Sequence, residues 1–315
     1  MKIKAVCAGH ENMKIFVIGG SGFIGHALIN SLKAEGHQIT ALLRTGNKQK
    51  ESDRSVRYVA GDPMKSGRWQ DIMMEHDIVI NLAGAAIFRR WSDEIKAEIL
   101  DSRMVTTRHI VEAIRNARSR SIQFFSASGI GYYGYRGDEM LDEHVPPGDT
   151  FLARVALEWE SEAGKAAESG ARVVLCRFGI VLGKNGGALR KVSALIRLYL
   201  GGKWGSGKQW FSWIHEEDVV NAFRFLLKNP GISGAVNFTA PEPVHNMEMV
   251  SIFRKVLKKG AIIGTIPAAL FELVLGEFSH VFLNGQRVIP QKLIENGFIF
   301  QYPTLEEALT DLLQP

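Results

Sequence analysis

The sequence predicts an α/β protein with a doubly wound parallel sheet and a smaller C-terminal substrate lobe. Apolar runs of β character alternate with segments of helical periodicity from Lys14 onward. The β runs are continuously apolar, as strands buried on both faces are. A glycine-rich turn separates the first strand from the first helix. With 315 residues, 46% of them apolar, the chain can bury a large core and still form a second, smaller unit.

The first predicted unit is a strand, a turn, a helix and a second strand. The strand covers 14–18, the turn of form GxxGxxG covers 19–25, the helix ends at Gly36 and the next strand covers 38–43. Glycines allow the sharp turn and let a pyrophosphate approach the positive N-terminal end of the helix. Because strand, turn and helix follow one another in this order, the motif predicts a Rossmann-type dinucleotide site.

The end of the second strand predicts which cofactor is bound. NAD enzymes usually carry a carboxylate there, ~20 residues past the glycines, to hold the ribose 2′-hydroxyl. This chain has Arg44, followed by Lys48 and Lys50. A guanidinium forms bidentate, charge-assisted bonds with a 2′-phosphate, so the pattern favours NADP over NAD. The alternative is an ordinary solvated arginine at a strand end.

The alternation continues through four more predicted strands and two long helices. Asp62 ends the third strand, where its carboxylate could accept a hydrogen bond from the adenine amino group; a turn-forming Asp at a loop start is an equally good interpretation. The fourth strand runs into a turn at Gly84. The predicted strands cover 56–62, 77–84, 122–127 and 172–177, and the predicted helices cover 92–117 and 151–170.

Composition and charge exclude several classes of protein. A formal charge of +5 without a long basic run argues against nucleic-acid binding but suits a ligand that carries phosphate. No apolar stretch approaches the ~20 residues of a membrane helix. Two cysteines cannot form a disulfide framework, and Cys176 lies in an apolar strand, so a reducing cytoplasm is expected. The histidines are scattered and HExxH is missing, so no metal site is predicted.

The predicted domains are interleaved along the chain. Residues 1–12 are a polar N-terminal extension to which no function is assigned. Residues 13–182 form the NADP-binding domain, and 211–238 return to it through a strand at 234–238. The substrate lobe comprises 183–210 and 239–315. Its first segment is basic and rich in glycine, as in a mobile lid over an anionic ligand.

Several motifs together resemble a known family, the extended short-chain dehydrogenases/reductases, in an atypical form. The resemblance is greatest to the epimerase-like branch related to nucleoside-diphosphate-sugar epimerases, whose members share a C-terminal segment like GQRVIPQKLIENGFIFQYPTLEEAL at 285–309. It covers nearly the whole chain from Met13. The motifs are GGSGFIG at 19–25, NLAG at 81–84, SxxGYYG at 128–134, RFGIVLG at 177–183 and WIHEEDVV at 213–220.

The resemblance implies a set of cofactor-binding residues. It implies that Arg103, on the helix after the fourth strand, reaches the cofactor. The alternative is that Arg103 is solvated, as arginines on a helix face often are. Val181, beyond the sixth strand, would flank the nicotinamide. The pyrophosphate would be lined by Gly19, Ser21, Gly22, Phe23 and Ile24, the adenosine ribose phosphate would be faced by Leu43 and Arg44, and the fourth strand would cover the cofactor with Leu82, Ala83 and Gly84.

The expected catalytic pair is missing from this sequence. Ordinary members carry a Tyr and, four residues later, a Lys that lowers the pKa of the phenol. The corresponding helix here has Phe151 and Val155. The remaining candidates are Ser128, which matches the catalytic serine of the family, and the phenols of Tyr132 and Tyr133.

For the two tyrosines, a packing role is the favoured alternative, because a phenol has a pKa of ~10. Glu158 and Glu160 are further candidate proton carriers, although carboxylates on a helix face are usually solvated. His215, at the start of a helix, fits a structural histidine with a backbone partner better than a catalytic one.

The sequence therefore predicts an NADP-binding oxidoreductase or epimerase-like enzyme that acts as a monomer or homodimer on a small, sugar-nucleotide-like substrate. The alternative is a non-catalytic regulatory or scaffold protein that senses NADP(H). The missing Tyr and Lys favour that alternative, and some relatives of this branch are described as cell-division factors.

Overall fold

A computed structural model describes residues 12–44, 55–116, 121–184, 186–187, 189–197, 202–259 and 264–314. The strands are β1 Lys14–Ile18, β2 Gln38–Leu43, β3 Arg57–Ala60, β4 Ile78–Asn81, β5 Gln123–Gly129, β6 Met140–Leu141, β7 Arg172–Phe178, β8 Ile180–Gly183, β9 Gly186–Gly187, β10 Lys203–Trp204, β11 Trp210–Phe211, β12 Trp213–His215, β13 Gly234–Phe238, β14 Val244–His245, β15 Thr265–Ile266 and β16 Arg287–Val288. The helices are α1 Phe23–Ala34, α2 Arg68–Met73, α3 Asp93–Asn116, α4 Phe151–Gly164, α5 Leu189–Arg197, α6 Glu216–Lys228, α7 Asn246–Leu257, α8 Ala268–Leu275, α9 His280–Leu283, α10 Gln291–Glu295 and α11 Leu305–Leu313.

Seven parallel strands form the central sheet, in the order β13-β7-β5-β4-β1-β2-β3. The predicted doubly wound α/β fold is therefore confirmed. The chain winds outward from β1 to β3 and then starts again on the other side of β1 with β4. In such sheets, ligands bind at the carboxyl ends of the strands where the winding direction changes, here between β1 and β4.

Helices cover both faces of this sheet because the strand residues are apolar on both sides. On β1, Ile15 and Val17 face the cluster formed with α1 and α6. Phe16 and Ile18 face the opposite cluster, which includes α2 and α3. The alternation follows from the two-residue period of a strand, so one apolar run supplies two cores.

A further apolar cluster, called the C-terminal lobe below, joins residues from β8 to β12 with the C-terminal helices. It includes Trp204, Phe211, Phe253 and Leu309, and α7 packs against α11 within it. The chain reaches this region through β8 and returns to the central sheet with β13, which pairs with β7. Strand β16 pairs with β6, so a late segment of the chain is tied to the loop after β5.

Three sets of sequence predictions fall outside the described residues. They are the N-terminal extension up to residue 11, Lys48 with Lys50 near the predicted NADP phosphate site, and positions 185, 188 and 198–201 of the predicted basic segment 183–210. Within the described part of the chain, no helix combines the length and the apolar character needed to cross a membrane.

Candidate active site

The glycine turn lies between β1 and α1 and packs directly against the end of β4. Gly19 has φ +83°, and a Cβ built on it would lie 2.8 Å from the backbone nitrogen of Ala83. A Cβ on Gly25 would lie 2.4 Å from the carbonyl oxygen of Gly19. The first glycine is required by backbone conformation and space, and the second by the contact between helix and turn. The left-handed conformation of Gly19 provides the sharp turn that the motif predicted.

The first turn of α1 faces this glycine turn with its backbone donors uncapped. Its N-cap residue is Gly22, and none of the described side chains caps it. The first N–H groups of a helix have no partner within the helix, and the helix dipole adds partial positive charge there. Phe23 and Ile24 provide the first of these donors, and Ser21 is exposed beside them. The arrangement fits a pyrophosphate.

The ends of β2 and β3 place the residues predicted to bind adenosine. Leu43 is buried at the end of β2, and the exposed Arg44 follows it at once. The backbone nitrogen of Gly61 donates to Leu43 at 2.9 Å, which holds the two strand ends together. Asp62 Oδ1 accepts from the Met64 backbone nitrogen at 3.0 Å. The carboxylate of Asp62 therefore shapes its own turn, which fits the loop-start interpretation of this residue.

Arg103 reaches back from α3 to the turn after β4. Its Nη1 donates to Ile99 O at 2.8 Å and to Ala85 O at 3.2 Å. Gly84 is so close that a Cβ there would lie 3.1 Å from the Arg103 Cζ, and the guanidinium lies 5.1 Å from the centroid of the Trp159 ring. Burial lowers the pKa of Arg103 to about 10, so it stays charged at neutral pH.

No acidic side chain within the described ranges forms an ion pair with Arg103. A guanidinium that is largely desolvated without a counter-ion is costly, and an anionic ligand would compensate it. The solvated-helix interpretation of Arg103 therefore does not fit its position.

A cavity of about 360 Å³, here called the central cavity, separates the carboxyl ends of the sheet from the C-terminal lobe. This volume is in the range of small-ligand sites. The structure brings five of the predicted site residues to its wall from elements far apart in the chain. They are Phe23 and Ile24 from α1, Arg103 from α3, Ser128 from β5 and Val181 from β8.

Ser128 is joined to a buried ion pair. Its Oγ donates to Glu160 Oε1 at 2.6 Å. Arg177 donates to the same carboxylate in a bidentate manner, from Nε to Oε1 at 2.8 Å and from Nη2 to Oε2 at 2.7 Å. All three residues are less than 10% exposed. Because the Ser128 proton is directed at Glu160, the lone pairs of Oγ remain for a ligand in the central cavity.

Tyr133 belongs to the same network, on the side away from the central cavity. Its hydroxyl accepts from Arg177 Nη1 at 2.9 Å and donates to Asn237 Oδ1 at 2.7 Å. Burial raises its pKa to about 12 despite the opposing charge of Arg177. Tyr132 packs its ring on Arg177, with 3.5 Å from Cζ to the centroid. Neither phenol lines the central cavity, so both placements fit the packing interpretation.

The helix that carries the catalytic pair in ordinary family members is α4. Phe151 packs its ring 5.1 Å from that of Trp91, and Val155 lines the central cavity. Glu158 is exposed, whereas Glu160 is 7% exposed and points into the network with Ser128. Of the two carboxylates considered from sequence, only Glu160 is thus connected to a residue of the cavity wall.

His215 begins α6 as its N-cap. Its Nδ1 accepts from the backbone nitrogen of Glu217 at 3.0 Å, and its ring stacks on Tyr302 at 3.8 Å. Burial lowers its pKa to about 4, although Asp311 opposes this. The residue is 1% exposed. This is the structural histidine with a backbone partner that the sequence predicts.

Sequence reasoning missed three residues of the site. Arg177 was placed at the end of a strand and at the start of the RFGIVLG motif but given no role, although a charged residue in a buried parallel strand signals a specific partner. Gln209 and Asn246 line the central cavity from the lobe and were not among the predicted site residues, because nothing in the sequence around them indicates a ligand contact.

Comparison with known proteins agrees with this geometry. Residues 15–237 match the model of the NAD dependent epimerase/dehydratase family, and residues 266–312 match a domain of unknown function, DUF1731. A chloroplastic epimerase family protein SDR39U1 homolog of Arabidopsis thaliana is 38% identical over 99% of this chain and 91% of its own length. An epimerase family protein of Staphylococcus aureus is 36% identical over 96% of this chain and all of its own length.

Solved structures show the same relationship. The human epimerase family protein SDR39U1, crystallised with NADPH, is 31% identical with a TM-score of 0.82, and the match covers 95% of this chain and 99% of that one. The nucleoside-diphosphate sugar epimerase of Corynebacterium glutamicum is 29% identical with a TM-score of 0.77, and the match covers 96% of this chain and 58% of that one. The family resemblance seen in the motifs is thereby confirmed, and the chain belongs to the NAD dependent epimerase/dehydratase family.

Proposed function

We propose that this protein is an NADP(H)-dependent oxidoreductase or epimerase-like enzyme that acts on a small molecule. The observation that carries the proposal is the uncapped N-terminus of α1 behind the Gly19 turn, with Arg44 immediately after β2. A pyrophosphate fits the first feature and a ribose 2′-phosphate fits the second. The human relative that was crystallised with NADPH supports the same cofactor.

The residues present fit a dinucleotide at each part of the site. Side chains are excluded where the pyrophosphate would approach the backbone, because Cβ atoms at Gly19 and Gly25 would collide with neighbouring backbone. Arg103 offers an uncompensated positive charge on the cavity side of the turn. Val181, in the cavity wall, is 9% exposed and provides an apolar surface for a nicotinamide ring.

The bound nicotinamide would accept or supply the hydride. Ser128 and Glu160 would transfer the proton to or from the substrate oxygen. When a substrate alcohol is oxidised to a carbonyl, hydride leaves the carbon and a proton leaves the oxygen. Ser128 Oγ accepts that proton while its own passes to Glu160 Oε1, 2.6 Å away. The reverse transfer serves reduction. This relay takes the place of the missing Tyr and Lys.

A second function, NADP(H) sensing without turnover, is favoured by Val155 in the cavity wall. Valine cannot tune or transfer a proton at the position where ordinary short-chain dehydrogenases/reductases carry a lysine. This function predicts cofactor binding that is unaffected by changes at Ser128 or Glu160 and no turnover of any substrate.

Calorimetric titration with NADPH and NADH tests which of the two cofactors the protein prefers. We expect NADPH to bind more tightly, and Arg44→Ala to weaken NADPH at least ~10-fold, since charge-assisted bonds contribute ~1.5–3 kcal/mol. NADH affinity should stay within about twofold, because NADH lacks the 2′-phosphate. Arg57→Ala is the matched control: it removes the same charge from the exposed opposite end of the neighbouring strand β3. Tighter binding of NADH, or unchanged NADPH affinity in Arg44→Ala, would contradict the proposal.

A further inference from the structure

The wall that the C-terminal lobe contributes to the central cavity indicates what kind of substrate the enzyme takes. Aromatic and apolar side chains dominate this wall, and charged ones are rare. Trp204, Trp210 and Phe211 come from the short strands β10 and β11, and Val281 and Phe282 come from α9. Phe88, from the turn after β4, packs its ring 6.3 Å from that of Phe282 and closes the wall on the sheet side.

The charge of its diphosphate distinguishes a nucleotide sugar from a neutral substrate. Its diphosphate carries two negative charges, which proteins hold with arginines, lysines or helix N-termini. Among the described residues that line the central cavity, Arg103 alone is fully charged, and it lies against Gly84 on the cofactor side. Arg287 packs over the Trp210 ring, 4.7 Å from Cζ to the centroid, and does not line the cavity.

Two neutral polar groups in this wall have no hydrogen-bond partner among the described residues. Asn246 is 1% exposed, and its Nδ2 is buried without a hydrogen bond. Its orientation is fixed because Oδ1 accepts from the Trp204 backbone nitrogen at 2.8 Å. Gln209 Oε1 is likewise buried and unpaired, while its Nε2 donates to Trp204 O and Phe282 O at 3.0 Å each.

A buried donor and a buried acceptor left unpaired each cost ~1–3 kcal/mol, which a ligand that pairs with them recovers. Asn246 offers a donor and Gln209 an acceptor, so the ligand group that pairs with both must itself donate and accept, as a neutral hydroxyl or amide does.

Resting on the proposed NADP(H)-dependent function, we infer that the substrate is an uncharged, largely apolar, ring-bearing carbonyl compound or its alcohol, and not a nucleotide sugar. Its reacting oxygen binds at Ser128, its ring packs among the aromatic side chains of the lobe, and a neutral polar group pairs with Asn246 and Gln209. In the reductive direction, the carbonyl carbon gains hydride from NADPH and the oxygen gains the proton relayed by Ser128, giving the alcohol and NADP⁺.

The test is a binding experiment on the full chain saturated with NADP⁺. The probes are two neutral aromatic ketones, 4-phenylbutan-2-one and 2-acetylnaphthalene, with UDP-glucose as the charged alternative. Calorimetry gives the affinities, and tryptophan fluorescence reports occupancy because Trp204 and Trp210 line the cavity. We expect at least one ketone to bind saturably and UDP-glucose to bind at least ~10-fold more weakly.

Two Val→Glu substitutions, one inside and one outside the central cavity, test where the ketone binds. Val281→Glu places a charge in the cavity wall and should weaken ketone binding at least ~10-fold, because an unpaired carboxylate there is desolvated by the ligand. Val274→Glu makes the same change on the 59% exposed Val274 of α8, outside the cavity, and should leave binding unchanged. NADP⁺ affinity should be equal in both variants.

The outcomes separate this inference from the proposed function. If NADP⁺ binds but UDP-glucose binds more tightly than both ketones, or neither ketone binds, the substrate class is wrong and the cofactor assignment stands. Ketone binding that Val281→Glu does not weaken also overturns the inference, since the ligand then lies elsewhere. If neither NADP⁺ nor NADPH binds, the proposed function itself fails.

Discussion

Arg177 of β7 and Glu160 of α4 form a buried bidentate ion pair, with Nε–Oε1 at 2.8 Å and Nη2–Oε2 at 2.7 Å. Burial acts to lower the pKa of Arg177, but the hydrogen bonds and charge of Glu160 outweigh it, and the pKa is raised. The pair fastens a helix of the outer layer to the central sheet at the point where Ser128 meets the central cavity.

Removing one partner of this pair should destabilise the protein strongly. Glu160→Ala leaves the Arg177 guanidinium buried without its counter-ion, which typically costs ~3–5 kcal/mol. Arg177→Ala likewise leaves the Glu160 carboxylate buried without its counter-ion, and the double variant Glu160→Met with Arg177→Met should cost less than either single alanine variant, because no charge stays buried. Urea unfolding measures the free energies. A double variant less stable than both singles would mean that the pair itself supplies the stability.

Gly25→Ala should destabilise the protein by ~2 kcal/mol or more, because its Cβ would lie 2.4 Å from the Gly19 carbonyl oxygen and the helix would have to move. NADPH affinity should fall as well, since the same shift disturbs the turn. Gly164→Ala is the control at the end of α4, where a Cβ meets nothing within 4 Å. There the change should be neutral or stabilise by ~0.5–1 kcal/mol. Equal effects at the two positions would refute the close-contact argument.

Arg103→Met should separate ligand binding from stability. We expect NADPH affinity to fall at least ~10-fold, the loss expected when a charged donor is removed. The stability of the unliganded protein should change by no more than about 1 kcal/mol, because the lost hydrogen bonds are offset by the removal of a poorly solvated charge. Arg115→Met, at a 43% exposed side chain on the same helix whose ion-pair partner Glu168 is 66% exposed, should alter neither quantity. Large destabilisation without a change in affinity would assign Arg103 a structural role.

His215 should make stability depend on pH. The pKa of His215 in the folded protein is about 4, below the ordinary value of 6.5. As the pH falls, His215 is therefore protonated in the unfolded chain before it is protonated in the folded protein. Its contribution to stability is complete above pH 6.5 and is lost as the pH falls towards 4, by ~3 kcal/mol at most. His215→Asn keeps a capping side chain without the titration and should flatten the unfolding free energy over this interval.

The control for this pH dependence is His144→Asn, at a side chain that is 81% exposed, which should follow the wild-type profile. Identical profiles for wild type and His215→Asn would show that other groups set the pH dependence.

Local patterns predicted most of the scaffold. Helix α3 was predicted over 92–117 and is found at Asp93–Asn116, and the helix predicted over 151–170 is α4 followed by a 3₁₀ turn at Lys165–Ser169. These elements are set by apolar periodicity and glycine, which act over a few residues.

The chemistry of the cavity depends instead on pairs that only tertiary packing creates. Ser128 and Glu160 lie on different elements, and the exposed-carboxylate expectation for Glu160 was wrong because Arg177 compensates its burial. The unpaired amide groups of Gln209 and Asn246 follow from backbone contacts with Trp204, which no sequence motif encodes.

Strand β13 joins the sheet beside β7 only after the chain has passed through β8 to α6. During synthesis on the ribosome, β7 is therefore an open edge while that intervening stretch is being translated. An apolar edge strand in this state can pair with another nascent chain. Pairing of β13 with β7 closes this edge, and the side chain of Asn237 then accepts a hydrogen bond from Tyr133.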